Sequence, residues 1–177
     1  QSKQTNSASH NLPLLAALCN MSKPMILQEA SLDDAKCLSR IAIRSKAHWG
    51  YSTEFMDACV EELSVSRTRI GNSNFHYVVA LVDQAIIGFY ALEGLLKDEI
   101  ELGALFVDPD HIGTGVGKAL MEKAKKHAVS LGAKKLNIQG DPNAENFYIA
   151  AGGQLTGSKE SESIPGRYLP TFRILLN

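Results

Sequence analysis

The sequence predicts an α/β protein of the α+β kind, built on a mixed and mostly antiparallel sheet with helices packed against it. The predicted elements run as strand, two helices, three strands, helix, strand, helix and strand, which is neither strict alternation nor an all-β order. A tight turn at Asp83 and Gln84 separates two apolar runs and indicates an antiparallel hairpin. A strand–helix–strand pattern over residues 99–139 predicts one parallel crossover in the same sheet.

The first part of the chain is predicted to hold four strands and two helices. Runs rich in apolar and β-branched residues place the strands at residues 25–30, 75–82, 85–92 and 99–107. Apolar residues at helical spacing place the helices at residues 31–46 and 52–63. Ser31 and Ser52 precede these helices, where a hydroxyl can cap the first unpaired N–H groups.

The remaining elements follow a glycine-rich loop. One apolar stripe predicts a helix that begins near residue 116 and stops at Gly132; its members are Val116, Leu120, Ala124, Ala128 and Leu131. A short strand at residues 136–139, a helix at 143–151 and a last strand at 168–176 complete the predicted order.

Composition points to one globular domain. The 177 residues are 45% hydrophobic and 21% charged with a net charge of −1, which fits a single soluble domain over residues 24–177. Residues 1–23 are polar with a short apolar patch, and we interpret them as a tail of uncertain order. No basic stripe indicates nucleic acid, and no apolar run approaches the roughly 18 residues of a membrane span. The three widely spaced cysteines lack metal-ligand spacing, so we expect reduced thiols, a cytoplasmic protein and no metal site.

The most informative stretch lies between the fourth strand and the next helix. An apolar run ends in Asp108-Pro109-Asp110, and Gly113, Gly115 and Gly117 follow before the helix begins. A glycine loop at a helix N-terminus presents backbone N–H groups and the positive end of the helix dipole. The pattern therefore predicts a site for a phosphorylated cofactor.

Two common phosphate-binding motifs fit this stretch poorly. The Walker A motif needs a glycine five residues before Gly117, where Ile112 stands, and a hydroxyl residue at the position of Ala119. The dinucleotide fingerprint needs GxGxxG after the first strand of a βαβ unit, whereas this chain has GxGxG after a hairpin. An NTPase and a nicotinamide oxidoreductase are both disfavoured.

Two motifs resemble those of the GNAT superfamily of N-acetyltransferases. Residues 112–117 resemble its [Q/R]xxGx[G/A] motif, with Ile112 in place of the usual Gln or Arg. Residues 141–153 resemble its NxxAxxFYxxxGF segment, with Asp141 where Asn is common and Gly153 where Phe is common. The resemblance spans roughly residues 25–176. It implies a mostly antiparallel central sheet of six to seven strands with about four flanking helices, and a parallel strand–helix–strand unit at the cofactor cleft.

The resemblance implies acetyl-coenzyme A as the cofactor. Its diphosphate would bind the glycine loop and helix start, at Ile112, Gly113, Thr114, Gly115, Val116, Gly117 and Lys118. Its pantetheine arm would pair with the backbone near Leu105, Phe106 and Val107, between two parallel strands that splay apart, with Asn143 on the facing side. Tyr148 matches the position of the family's general acid at the departing thiolate, and a phenol is a competent proton donor at neutral pH.

The implied reaction is direct attack on the thioester by a primary amine of a small molecule or peptide, in a ternary complex. The alternative is a non-catalytic acyl-coenzyme A binding module, against which the presence of Tyr148 argues. Strand alternation places Glu101 on one face with Gly103 and Leu105, so Glu101 is a candidate base through water. A solvated sheet edge is the alternative reading of Glu101, and His76 is a second candidate base.

The resemblance places the acceptor between the first two helices and the C-terminal loops. His48, Trp49 and Tyr51 form a candidate amine-binding wall, since aromatic faces attract cations. Trp49 can equally plug the core. Arg167 is a candidate partner for a carboxylate on the substrate, or a structural tie to Glu160 or Glu162. The acceptor and the oligomeric state stay open, although homodimers are frequent in the family.

Overall fold

The computed structural model describes residues 23–95 and 99–177. The strands are β1 Ile26–Glu29, β2 Phe75–Val82, β3 Ala85–Glu93, β4 Ile100–Val107, β5 Lys135–Gln139, β6 Gly153–Glu160 and β7 Tyr168–Leu175. The helices are α1 Ala35–Ala47, α2 Thr53–Leu63, α3 Arg67–Ile70, α4 Val116–Ser130 and α5 Glu145–Ala150. The predicted tail, up to residue 22, lies outside the described residues. Within them, no helix has the length and apolar character needed to cross a bilayer.

The strands form one mixed sheet in the order β1-β2-β3-β4-β5-β7-β6. Only the β4–β5 pair among these neighbours is parallel, as residues 99–139 predicted. The predicted fold class and the β2–β3 hairpin are confirmed. Strand β6 had no strand signal in the sequence, because it lies at the sheet edge and nearly all its side chains are exposed.

The helices cover both faces of the sheet. Helices α1 and α2 pack on one face through buried side chains such as Leu38, Ile41 and Cys59. Helix α4 packs on the other face, where four of the five predicted stripe residues are buried. Leu131, the fifth, is 46% exposed because the helix ends there and the chain turns at Gly132.

A β-bulge interrupts the pairing of β3 with β4. Leu102 pairs with Leu92 and Ala104 pairs with Ala91, so Gly103 is the extra residue. The bulge shifts the alternation of side chains by one position. Glu101 therefore shares a face with Ala104 and not with Leu105, and the predicted common face of Glu101 and Leu105 is wrong.

Candidate active site

A cavity of about 430 Å³ opens between β4, β5 and the first two helices. It exists because the two parallel strands pair over only three residues, Ile100–Leu102 against Leu136–Ile138. Beyond this short ladder β4 continues to Val107 without β5 as its partner. The predicted separation of the two parallel strands is thus present, and the backbone of β4 borders the cavity.

The glycine loop is anchored before it reaches the cavity. Asp108 is buried and accepts a hydrogen bond from the N–H of Asp110 at 3.1 Å. Arg44 of helix α1 donates to the other Asp108 oxygen at 2.8 Å. The charge of Asp108 is therefore neutralised by Arg44, which ties the start of the loop to helix α1.

The loop conformation requires glycine at two positions. Gly113 and Gly115 have φ values of +80° and +92°, which side chains with a Cβ rarely adopt. No heavy atom lies within 4 Å of the place where a Cβ would stand at either residue. The loop therefore combines a left-handed backbone with open space in front of it, which suits close approach of a bulky anion.

The N-terminus of helix α4 supplies the donors for that anion. Its first intrahelical bond runs from the N–H of Ala119 to the carbonyl of Gly115 at 3.0 Å. The N–H groups before Ala119 have no partner inside the helix, and the dipole of 15 aligned residues favours negative charge there. The loop and helix start therefore fit a coenzyme diphosphate.

Tyr148 lies in the wall of the same cavity and is 7% exposed. Its ring packs against Phe172 and approaches Gly140 so closely that a Cβ there would lie 2.6 Å from Cε2. Burial, and the negative charge of Asp141, raise the pKa of Tyr148 to about 12. The hydroxyl is therefore protonated at neutral pH.

A polar cluster centred on Asp141 also borders the cavity. The Tyr51 hydroxyl donates to its carboxylate at 2.9 Å, and Asn143 donates from both N–H and Nδ2 at 3.0 Å. Lys46 lies 3.3 Å from Oδ2 and Arg167 lies 3.4 Å from it. Arg167 also donates to the Tyr51 hydroxyl at 2.9 Å. We call these five residues the Asp141 cluster.

The Asp141 cluster is mostly buried, which sets its ionisation. Burial alone would raise the pKa of Asp141, but hydrogen bonds from Asn143 and Tyr51 and the charge of Lys46 hold that pKa below its usual value. Burial and the Asp141 carboxylate raise the pKa of Tyr51. Asp141 is therefore a persistent carboxylate bound by two cations.

Comparison with known proteins decides which family this site belongs to. The model of the acetyltransferase (GNAT) domain matches residues 30–163. The chain belongs to the GNAT acetyltransferase family. The resemblance drawn from residues 112–117 and 141–153 is confirmed, and acetyl-coenzyme A is the cofactor that this family uses.

One similar curated protein is the peptidyl-lysine N-acetyltransferase YjaB of Salmonella typhimurium. It is 36% identical over 98 residues, which are 55% of this chain and 62% of YjaB. The chain thus spans less than two thirds of that relative's length.

Two solved structures share the GNAT fold of this chain. The PaiA N-acetyltransferase from Thermoplasma acidophilum, in complex with coenzyme A, has a TM-score of 0.69 and 18% identity; the match covers 86% of this chain and 99% of that chain. A GCN5-related N-acetyltransferase from Rhodopseudomonas palustris has a TM-score of 0.72 and 24% identity, covering 89% and 99%.

Most of the predicted site residues of this GNAT chain line the cavity. They are Leu105, Phe106, Val107, Ile112, Gly113, Gly115, Gly117, Lys118, Asn143, Tyr148 and Trp49. Thr114 turns away, because its N–H and hydroxyl both donate to the carbonyl of His111, at 3.3 and 2.6 Å. Val116 points into the core and is 4% exposed, so only its backbone is available to a ligand.

The other predicted residues lie outside the cavity lining. Glu101 is exposed, and His76 packs against His127 away from the cavity. His48 is exposed and its ring contacts Trp49 at 5.4 Å between centroids. Because Trp49 is 42% exposed, the reading of Trp49 as a core plug is wrong.

Arg167 has neither of its predicted structural partners. The side chain of Arg167 pairs with Asp141 and stacks over Phe55, at 4.8 Å from the ring centroid. Glu160 instead accepts the N–H of Gly166 at 2.7 Å. The predicted ties from Arg167 to Glu160 or Glu162 are therefore wrong.

Three charged residues of the cavity lining were not singled out as functional from the sequence: Lys46, Glu62 and Asp141. Asp141 was visible only as a departure from the family pattern, where Asn is common. Lys46 and Glu62 lie in helices α1 and α2 among other charged residues, so their spacing carries no signal of its own.

Proposed function

We propose that this protein transfers the acetyl group of acetyl-coenzyme A to a primary amine of a small molecule or peptide, by direct attack in a ternary complex. One observation carries the proposal: the buried hydroxyl-bearing ring of Tyr148 lines the same cavity as the glycine loop. A donor protonated at neutral pH and an anion cradle in one cavity support acyl transfer over simple binding.

Different residues of this chain would bind the diphosphate, align the pantetheine arm and protonate the leaving thiolate. The N–H groups of Gly113, Gly115 and Gly117 would hold the diphosphate. The β4 backbone from Leu105 to Val107, which has no β5 partner on the cavity side, would align the pantetheine arm. Bound acetyl-coenzyme A supplies an acetyl thioester. Tyr148 would give its proton to the thiolate that leaves. Its hydroxyl is protonated at neutral pH, and the proposal rests on its place in the cavity wall, since a raised pKa by itself makes a weaker acid.

On the acceptor side we propose Trp49 as the aromatic wall and the Asp141 cluster as its support. Tyr51 and Arg167 would act from within that cluster, and His48 would act through its contact with Trp49. Glu101 stays the proposed base. Its face is that of Ala104 and Phe106, which line the cavity, so water could carry the proton to it.

Titration with coenzyme A and an assay for thiol release test the proposal together. We expect binding of coenzyme A, no binding of NAD, and release of free thiol when acetyl-coenzyme A is mixed with a panel of primary amines and lysine peptides. Binding without thiol release from any amine would indicate the non-catalytic module instead. Failure to bind coenzyme A would contradict both.

A further inference from the structure

Glu62 lies near the C-terminal end of helix α2. Cys59 and Leu63 are the buried residues of this helix, and Glu62 lies next to Leu63 with an exposed side chain. Its side chain lines the active-site cavity, where it accepts a hydrogen bond from the hydroxyl of Ser163. An exposed carboxylate thus borders the cavity.

Neither of the two cations of the Asp141 cluster pairs with Glu62. Lys46 is held by Asp141 at 3.3 Å, and Arg167 binds the same carboxylate. Within residues 23–95 and 99–177, Glu62 takes part in no ion pair. Helix α2 itself contains no lysine or arginine that could neutralise it.

An aromatic face lies at the same cavity. Trp49 lines it beside the α1–α2 connection and is 42% exposed. A carboxylate and an indole ring both attract positive charge, the first through its net charge and the second through its quadrupole. Two independent features of this wall therefore select the same kind of ligand.

We propose that Glu62, assisted by Trp49, binds a second positive charge on the acceptor, beyond the nitrogen that is acetylated. This inference rests on the proposed acetyl transfer and names the acceptor class: amines that carry another cationic group. The reacting nitrogen must lose its charge before it attacks, so a fixed carboxylate at the wall serves a different nitrogen of the same acceptor. Polyamines and peptides with a neighbouring basic side chain share this chemistry.

The test compares matched acceptors in three proteins: wild type, Glu62→Gln and Glu61→Gln. Glu61 is the control, because it is the adjacent exposed carboxylate on α2 and does not line the cavity. The polyamine arm compares 1,4-diaminobutane with n-butylamine. The peptide arm compares a blocked lysine peptide flanked by arginine with one flanked by glutamine.

We expect wild type to prefer the doubly charged acceptor of at least one arm by about five-fold in kcat/KM, the size of one partly exposed ion pair. Glu62→Gln should remove that preference and Glu61→Gln should keep it. The arm that shows the preference identifies the source of the acceptor. Equal turnover of both members in both arms, or an equal loss in the two variants, would overturn the proposal.

A measurement of amine binding tests the cation site independently of acetyl transfer. If no amine releases thiol, calorimetric titration of 1,4-diaminobutane and n-butylamine onto the coenzyme A complex decides the matter. Tighter binding of the diamine that Glu62→Gln removes would support the cation site although acetyl transfer had failed. Equal affinity for the two amines would overturn it.

Discussion

Two halves of the cavity, which we name after the ligands proposed for them, are built in different ways. The cofactor half comes largely from one continuous stretch, residues 105–118, and offers backbone N–H groups and apolar side chains. The acceptor half comes from separated segments that meet at the Asp141 cluster, and it offers charged and aromatic side chains. Except at the glycines with positive φ, a substitution in a backbone cradle leaves the N–H donors in place, whereas an exchange in a side-chain cluster changes its chemistry. The acceptor half is therefore where this fold can vary its specificity.

Tyr148→Phe tests the point where the two halves meet, and we expect the largest effect there. Loss of the acidic proton should lower kcat about 100-fold, while the coenzyme A dissociation constant changes little because the ring still packs against Phe172. Steady-state thiol release and calorimetry measure the two quantities. Tyr90→Phe is the control, since Tyr90 is a fully buried tyrosine whose hydroxyl has no partner among the described residues. Wild-type kcat in Tyr148→Phe would remove this residue from the chemistry.

Asp141→Asn tests the acceptor half. It leaves Lys46 and Arg167 partly buried without a countercharge, so we expect a loss of about 2 kcal/mol in the free energy of unfolding at pH 7. Urea denaturation measures this. Because folding lowers the pKa of Asp141, its contribution is present above pH about 4 and is lost as the pH falls through the folded pKa. The variant and wild type should therefore converge in acid.

A surface ion pair provides the control for that loss. Asp33 pairs with Arg67, and both side chains are mostly exposed. Asp33→Asn should change the stability far less than Asp141→Asn, because water screens the pair. Equal losses in the two variants would mean that the Asp141 cluster is no more than a surface network.

Gly115→Val tests the cofactor half. A β-branched residue is strained at φ +92°, and its side chain would fill the open space before the helix N-terminus. We expect coenzyme A to bind about ten-fold more weakly. Gly132→Val places the same strain, at φ +85°, on the opposite end of helix α4. It should destabilise the protein similarly but leave coenzyme A affinity unchanged, and equal affinities in the two variants would refute the cradle.

The smallest effect is expected away from both halves, at His76 and His127, whose rings meet edge to face. Burial lowers the pKa of each, and His127 adds a like-charge contribution at His76. Folding therefore disfavours protonation of both histidines. They do not reduce the free energy of unfolding above pH about 6.5, and they lower it as the pH falls from there towards their folded pKa values. His127→Gln should flatten this decline between pH 7 and 5 in thermal melts. An unchanged slope would show that other groups cause it.

The cofactor half could be predicted from sequence because its determinants are local. Glycines at positions 113 and 115 report directly the left-handed backbone that the loop needs. The motif around Tyr148 likewise lies within one short segment. The succession of strands along the chain, apart from β6, followed from apolar runs and one hairpin turn, since most of these strands bury at least one face.

The acceptor half could not be predicted in the same way. Lys46 and Asp141 are 95 positions apart, and Tyr51 and Arg167 are 116 apart, so no spacing connects them. The face of Glu101 was wrong because simple alternation cannot reveal the bulge at Gly103. These features depend on which distant segments the fold brings together.

The short β4–β5 ladder has one more consequence. The sheet consists of two blocks of strands, β1-β2-β3-β4 and β5-β7-β6. The blocks pair with each other over only three residues, at one end of β4 and β5. At the other end Lys46 of helix α1 and Tyr51 of the α1–α2 connection contact Asp141, which follows β5. The gap between β4 and β5 is therefore closed at both ends by contacts within the protein. Its width is determined by these contacts before a ligand binds.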